Sequence, residues 1–248
     1  MDRYLVFQLY GPMASWGLEA PGEVRHTSPT PTKSAILGLL AAALGIHRDE
    51  SARLSELAQN CEFIVCGSQN GKWARDYHTV QVPRKEAKAT YSTRREELSQ
   101  KSLLNTLVTV RDYISDAWWL VAVRVVSGQV ELLERLQSAL RQPKFVLYLG
   151  RKSFPLALPL CPEIMVGTAG EILARARREY EEKLKTLHIN YSPLEPICFW
   201  EGTHEGLSES FLLRRRDVPE NRKNWQFEER EVKQGSVAWE EDLCISLS

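Results

Sequence analysis

Apolar residues in the first part of the chain fall into alternating strand-like and helix-like runs. Residues 3–10, RYLVFQLY, are apolar on both faces, which predicts a central strand that Gly11-Pro12 terminates. Thr32 is a favourable N-cap, apolar residues follow at helical spacing, and Gly45 suits the position just after a helix. A short helix over 50–60 and a strand over 62–66 are predicted next.

The second half of the chain also contains strand-like and helix-like runs, and these include more charged residues. Residues 117–126, AWWLVAVRVV, predict a buried strand, and the amphipathic run 130–140 predicts a helix that Pro143 ends. The later predictions are a glycine turn with a proline-rich return over 144–160, a charged helix over 171–187, strand-like runs over 196–201 and 210–214, and an acidic tail at Glu240, Glu241 and Asp242.

This order of elements predicts an α+β fold with helices packed on a mostly antiparallel sheet. A split βαβ, ferredoxin-like arrangement accounts for it with the fewest assumptions. We expect one domain over 1–248, in which the organisation of 161–248 is the least defined part.

Residues 72–111 differ from their surroundings because aliphatic residues are sparse there and cations are frequent. The segment has nine Lys or Arg residues against four acids, Asp76, Glu86, Glu96 and Glu97. We interpret it as an extended basic insertion that projects from the core. The nine cations are Lys72, Arg75, Arg84, Lys85, Lys88, Arg94, Arg95, Lys101 and Arg111.

Composition narrows the class of protein. The chain has 248 residues and a formal net charge of zero, which leaves local charged patches to decide any nucleic-acid binding. Five cysteines without a CxxC pair predict reduced, mostly buried thiols. A zinc site is not expected, because the Cys and His residues do not occur in the closely spaced pairs that zinc sites require. The N-terminus does not resemble a signal peptide and no apolar run is long enough to span a bilayer, so we expect a cytoplasmic protein with no membrane partner.

Catalytic motifs are weak. No GxSxG, HExxH, P-loop or GxGxxG pattern occurs, and we expect neither a metal nor another cofactor. The run Arg75-Asp76-Tyr77-His78 brings together a cation, an acid, a phenol and an imidazole. One hypothesis is therefore a metal-independent endoribonuclease that uses Tyr77 and His78 with Lys72 or Lys85.

RNA binding explains more of the pattern. Phosphates require Lys, Arg and free backbone N–H groups, and unpaired bases stack on aromatic or guanidinium planes. The basic insertion intersperses cations with Trp73, Tyr77, His78 and Tyr91. Arg151 and Lys152 follow Gly150, Lys33 adjoins a helix N-cap, and Arg25 and His26 lie in a proline-flanked loop. Each cation alone would be a solvated surface charge, and a protein-only scaffold remains a third hypothesis.

Five ordered motifs carry a resemblance to a known family. They are LVFQLYGPMASWG over 5–17, PTKSAILGLL over 31–40, RDYHTV over 75–80, RDY over 111–113 and YLGRKS over 148–153. In these motifs the chain resembles the CasD family, the RAMP-superfamily subunits of type I-E CRISPR Cascade complexes that bind the guide RNA. The likeness thins beyond residue 160, where RRDVP over 215–219 still fits.

The resemblance implies a ferredoxin-like, RRM-type domain with a glycine-rich loop and a thumb at 72–111. It also implies a non-catalytic subunit that binds the 5′ handle of the CRISPR RNA, caps a filament of CasC-type subunits and contacts a CasA-type large subunit. Target DNA would be met within the assembled complex. The implied handle contacts are Lys33, His78, Arg111, Arg151 and Lys152, with Arg111 ranked first, and Arg25, His26, Arg75 and Tyr77 are further RNA-contacting candidates.

The chain departs from one branch of that family. In the type I-C relatives the corresponding subunit is an endonuclease with a Tyr/Lys/His set in which Lys and His are adjacent. This chain has no Lys-His or His-Lys dipeptide. The departure favours binding over cleavage and leaves the endoribonuclease as the alternative.

Overall fold

The structure is a computed structural model that describes residues 2–18, 20, 22–68, 71–84, 90–99, 101–126, 129–221 and 226–238. Lys85, Lys88, Glu86, Cys244 and the acidic tail at 240–242 lie outside the described residues. The helices are α1 (Lys33–Leu44), α2 (Ser51–Asn60), α3 (Arg94–Glu97), α4 (Val130–Arg141) and α5 (Ala169–Thr186), with a 3-10 turn at Lys101–Leu103. The strands are β1 (Asp2–Tyr10), β2 (Met13–Ala14), β3 (Trp16–Gly17), β4 (Val24–Arg25), β5 (Thr27–Ser28), β6 (Cys61–Gly67), β7 (Lys72–Pro83), β8 (Leu104–Ser115), β9 (Trp118–Val125), β10 (Glu163–Gly167), β11 (Ile197–Trp200), β12 (Leu207–Asn221) and β13 (Gln226–Val237).

A seven-stranded sheet forms the centre, in the order β10-β1-β9-β6-β11-β13-β12 with antiparallel pairing at every described step. Alternate residues of β1 point to opposite faces, so Leu5 and Phe7 join the cluster with α1, α2 and α4, whereas Tyr4 and Val6 join the cluster with α5. The mixed α/β architecture with antiparallel sheets, expected from the element order, is confirmed.

Local sequence signals account for the helix that begins near the centre of the molecule. The Thr32 hydroxyl accepts a hydrogen bond from the Ala35 amide of α1, and Gly45 closes that helix at φ 73°. Both features were predicted, and so were the central strands β1, β6 and β9. The strand β13 was not predicted, because its sequence QFEEREVKQGSV has too few apolar residues to show an alternation.

A long antiparallel hairpin of β7 and β8 stands outside the seven-stranded sheet, within the basic insertion and just beyond it. The other edge of β8 pairs with β2 and, in parallel, with β4. The base of the hairpin is anchored by the buried side chains of Asp112 and Ile114, which lie just beyond the basic insertion.

The cysteine prediction was wrong for one pair. Cys66 of β6 and Cys198 of β11 lie directly opposite each other in the sheet and form a disulfide. Cys61 and Cys161 are free. Spacing along the chain could not have shown this, because 132 residues separate the two positions.

Candidate nucleic-acid interface

The face of the β7–β8 hairpin that carries Arg111, called the cationic face below, gathers charge from three segments. Arg25 of β4 is the register partner of Arg111 in the parallel pairing with β8. Arg151 approaches the same place from the turn after residue 148, and one of its guanidinium nitrogens lies 3.5 Å from the carbonyl oxygen of Asp112. The pKa of Arg151 is lowered first by desolvation and then by the neighbouring positive charge of Arg111. Like charges held together in this way favour an anionic ligand.

The turn that positions Arg151 is built around Gly150. Gly150 has φ 85°, and a Cβ atom there would overlap the carbonyl oxygen of Ser15. The Ser15 amide donates to the Leu149 carbonyl at 3.0 Å, and the Phe154 amide donates to the Arg151 carbonyl at 2.9 Å. The Phe154 ring lies below the Arg151 guanidinium, 5.4 Å away. Lys152 is exposed on the same turn.

Asp76 is the carboxylate that faces this cluster. It is the register partner of Arg111, and its carboxylate accepts a hydrogen bond of 2.8 Å from the Tyr113 hydroxyl. The second carboxylate oxygen lies 3.5 Å from Nε2 of His78, an ion-pair distance that does not make a hydrogen bond. Among the charged groups that act on Arg151, Asp76 is the carboxylate and Arg111 and Arg25 are the cations.

Unpaired polar atoms concentrate on the cationic face. Six buried side-chain nitrogen or oxygen atoms among the described residues have no hydrogen-bond partner, and three of them belong to His78, Thr109 and Arg111. His78 and Thr109 are register partners two residues along the hairpin from the Asp76–Arg111 pair, and therefore lie on the same face. Because buried polar groups are nearly always paired, such a concentration points to a ligand that pairs with them.

The opposite face of the hairpin is organised by Asp112. Arg75 donates two hydrogen bonds to its carboxylate, of 2.7 and 3.1 Å, and Nδ1 of His26 lies 2.9 Å from the same group. The bonds from Arg75, and next those from His26, lower the pKa of Asp112 to about 2 against the opposing effect of its burial. Tyr77 extends from this face into solvent.

Lys33 lies apart from the other candidates. Its ammonium donates to both carboxylate oxygens of Glu201, at 3.0 and 2.8 Å, and its side chain is 9% exposed. Its amide donates to Asp217, which also accepts from Arg230. Lys33 thus joins α1 to the C-terminal strands, and its cation is already paired.

The structure brings together Arg25, His78, Arg111 and Arg151, places Lys152 beside them, and puts His26, Arg75 and Tyr77 on the other face. Sequence reasoning named Asp76 only as the acid of the candidate catalytic run, and it gave Asp112 and Tyr113 no role in the site. The signal was present, because the motif Arg-Asp-Tyr occurs at both 75–77 and 111–113. When two such motifs pair antiparallel, each arginine lies opposite the other strand's aspartate.

Among the described residues, no group of three His, Cys, Asp or Glu side chains could hold a metal ion. No helix within the described ranges is long and apolar enough to cross a membrane.

Comparison with known proteins identifies the class. The sequence model of the Cas5d family, described as CRISPR-associated protein (Cas_Cas5), matches residues 4–233. The chain therefore belongs to this family of CRISPR-associated proteins. Among individual relatives, the CRISPR system Cascade subunit CasD of Escherichia coli (strain K12) is 30% identical over 239 residues, which cover 93% of this chain and 95% of that protein. The resemblance to CasD is confirmed.

Solved structures agree on the fold. A chain of a CRISPR RNA-guided surveillance complex superposes with a TM-score of 0.63 at 23% identity, over 94% of this chain and 90% of that one. A Cas protein known from a crystal structure gives a TM-score of 0.57 at 28% identity, over 96% of each chain.

Proposed function

We propose that this chain is a non-catalytic subunit of a type I-E Cascade complex that binds the 5′ handle of the CRISPR RNA. The observation that carries the proposal is the cationic face, where Arg25, Arg111 and Arg151 converge beside Asp76 and three buried polar atoms have no partner among the described residues. Family membership supplies the second support, since the E. coli relative is named a Cascade subunit.

Arg111, Arg25 and Arg151 are proposed to hold consecutive phosphates of the handle. A guanidinium can donate two parallel hydrogen bonds to a phosphate. The buried Nε–H of Arg111 has no acceptor among the described residues, so it is available to donate one of them. Lys152 and the backbone of the Gly150 turn would meet the next phosphate, because no side chain stands between that backbone and a ligand. His78 and Thr109 would add contacts further along the hairpin.

The wider assembly is part of the same proposal. The strands β1, β6, β9 and β10 with the helices between them follow the order β-α-β-β-α-β, which supports a ferredoxin-like, RAMP-type domain over 1–248. Residues 72–111 would be its thumb, and the part of 161–248 that follows β10 would be its C-terminal elaboration. CasC-type and CasA-type subunits are the proposed partners, with target DNA in the complete complex and the cytoplasm as its compartment.

RNA affinity measured against salt concentration tests the proposal. Neutralising phosphates releases counterions, so affinity should fall steeply as salt rises, and each lost phosphate contact should reduce the slope by about one. We expect this from Arg111→Ala and Arg151→Ala with repeat-derived RNA. The control is Lys185→Ala, an exposed cation in the last turn of α5. Equal slopes for all four proteins would contradict handle binding at this face.

The endoribonuclease alternative keeps one specific support. His78 lies 3.5 Å from Asp76, which accepts from Tyr113, so an imidazole, an acid and a phenol lie close to Arg111. Tyr77 cannot complete the set with His78, because adjacent residues of β7 point to opposite faces. Specific cleavage of repeat RNA that His78→Ala abolishes would establish the alternative, whereas intact RNA supports the non-catalytic proposal.

A further inference from the structure

The hairpin face opposite the cationic face, called the aromatic face below, presents two large rings to solvent. Trp73 and Tyr77 are 57% and 70% exposed, and Arg75 stands between them on the same strand. Residues two apart on a strand point to the same side, which places these three side chains in one row. Large exposed aromatic groups are costly to leave in water and mark binding surfaces.

The spacing of that row matches stacked bases. Side chains at positions i and i+2 of a strand are about 6.7 Å apart. Stacked bases are about 3.4 Å apart, so a plane inserted between two parallel flat groups requires about twice that distance. The gaps between Trp73 and Arg75 and between Arg75 and Tyr77 therefore each suit one nucleobase.

Arg75 is fixed as the central plane of the row. Its two hydrogen bonds to Asp112 use N–H groups that lie in the plane of the guanidinium, so neither bond covers a flat surface of the group. The Asp112 carboxylate is 4% exposed and also contacts His26, which holds it in place. A preorganised plane lowers the entropy cost of binding a base.

We infer that the aromatic face is a stacking site for two successive unpaired nucleobases of a single-stranded RNA. This inference rests on the proposed function and deepens it, because it separates base contacts from phosphate contacts on the same hairpin. Among the described strands, β7 pairs with β8 alone, so its outer edge is open. A single strand can pass around this edge with its phosphates on the cationic face and its bases on the aromatic face.

The test uses the full chain and single-stranded octa-adenylate that carries one 2-aminopurine. Stacking should quench the probe's fluorescence, and loss of one ring should weaken affinity about tenfold. We expect this from Trp73→Ala and Tyr77→Ala, while Trp73→Phe and Tyr77→Phe keep the affinity. Phe211→Ala, which removes another exposed ring on β12, is the control and should bind normally. The salt dependence should stay unchanged in every aromatic variant.

The outcomes separate the inference from the proposed function. If Arg111→Ala reduces the salt slope but Trp73→Ala and Tyr77→Ala bind and quench as wild type, the stacking inference fails alone. If Arg111→Ala also has no effect, the proposed function fails with it. If the ring variants keep RNA affinity but lose assembly with protein subunits, the aromatic face binds protein and the inference is overturned.

Discussion

Arg75 lies directly opposite Asp112 in the hairpin and donates two hydrogen bonds to its carboxylate, of 2.7 and 3.1 Å. The carboxylate also contacts His26, so one buried acid joins β7 and β8 to the residue that follows β4. This contact fixes the orientation of the whole hairpin base, on which both faces of the candidate interface depend.

Asp112→Asn should therefore loosen the hairpin base. The amide keeps the shape but loses the charge that both Arg75 and His26 contact, and we expect about 1–2 kcal/mol of lost stability at neutral pH. Chemical denaturation measures it, with the exposed Asp49→Asn as control. An equal loss of unfolding free energy in both variants would show that Asp112 does not stabilise the hairpin base.

The same carboxylate predicts a pH dependence. The pKa of Asp112 is held at about 2, below its ordinary value of 3.8, so its stabilisation is complete above 3.8 and is lost as pH falls toward 2. Wild type and Asp112→Asn should therefore converge in stability over that window, as circular dichroism at a series of pH values would show.

Gly150→Ala should disturb the turn that carries Arg151. The substitution places a Cβ at φ 85° and against the carbonyl of Ser15, which costs at least about 2 kcal/mol and moves the turn. The control is Gly17→Ala, where a Cβ would meet no atom within 4 Å. We expect a lower melting temperature and weaker RNA binding from the first variant alone; equal behaviour would show that the turn tolerates a side chain.

How far the sequence predicts this molecule depends on whether a feature is local. The cap at Thr32 and the apolar runs of β1 and β9 are encoded within a few residues, so they were predicted correctly. Lys33 shows the limit: a cation beside a helix N-cap suggests an anion site, but its partner Glu201 lies 168 residues away. The pairing of Cys66 with Cys198 is equally remote in sequence.

The candidate site was predictable in part for the same reason. Arg111 and Arg151 were predicted from motifs. Their convergence with Arg25 depends on the parallel pairing of β4 with β8, and a strand of two residues such as β4 is too short to show a pattern in the sequence. The repeated Arg-Asp-Tyr motif, by contrast, would predict the Arg75–Asp112 pairing if the two segments were known to be paired antiparallel strands.

His204 should make the protein sensitive to mild acid. Its Nε2 pairs with the Glu201 carbonyl at 2.8 Å, so that nitrogen carries the proton and Nδ1 accepts from the Tyr4 hydroxyl at 2.8 Å. Burial first, and then the charge of Arg124, lower the pKa of His204 despite the nearby carboxylates of Glu62 and Asp2.

Stability from neutral His204 is therefore full above about pH 6.5 and is lost as pH falls through the lowered value. His204→Phe keeps a ring beside Tyr4 but cannot titrate, so its melting temperature should change less between pH 7.5 and 5. The exposed His188→Asn should behave as wild type. An unchanged pH profile for His204→Phe would contradict the assignment.

The disulfide between Cys66 and Cys198 predicts a thiol count. In denatured protein purified without reductant, Cys61 and Cys161 should be alkylated whereas Cys66 and Cys198 should not, and all four should be alkylated after reduction. Closing a loop of this length stabilises a fold by about 4–5 kcal/mol in the chain-entropy description. Alkylation of Cys66 and Cys198 without prior reduction would mean that the pair stays reduced, as is usual for thiols in reducing compartments.

Lys33→Ala separates a structural role from an RNA contact. Removing the ammonium leaves the Glu201 carboxylate, whose side chain is 13% exposed, with a longer contact of 3.6 Å to Arg230 and a hydrogen bond from the amide of Phe63. We expect this to cost about 3 kcal/mol of stability, because a largely buried acid loses its nearest cation. Below its melting temperature, the variant should keep the wild-type salt slope for RNA, because the paired ammonium contacts no phosphate. Denaturation and RNA titration with Lys185→Ala as control measure both. A reduced slope with unchanged stability would show that Lys33 contacts the RNA handle and that its pairing with Glu201 does not stabilise the fold.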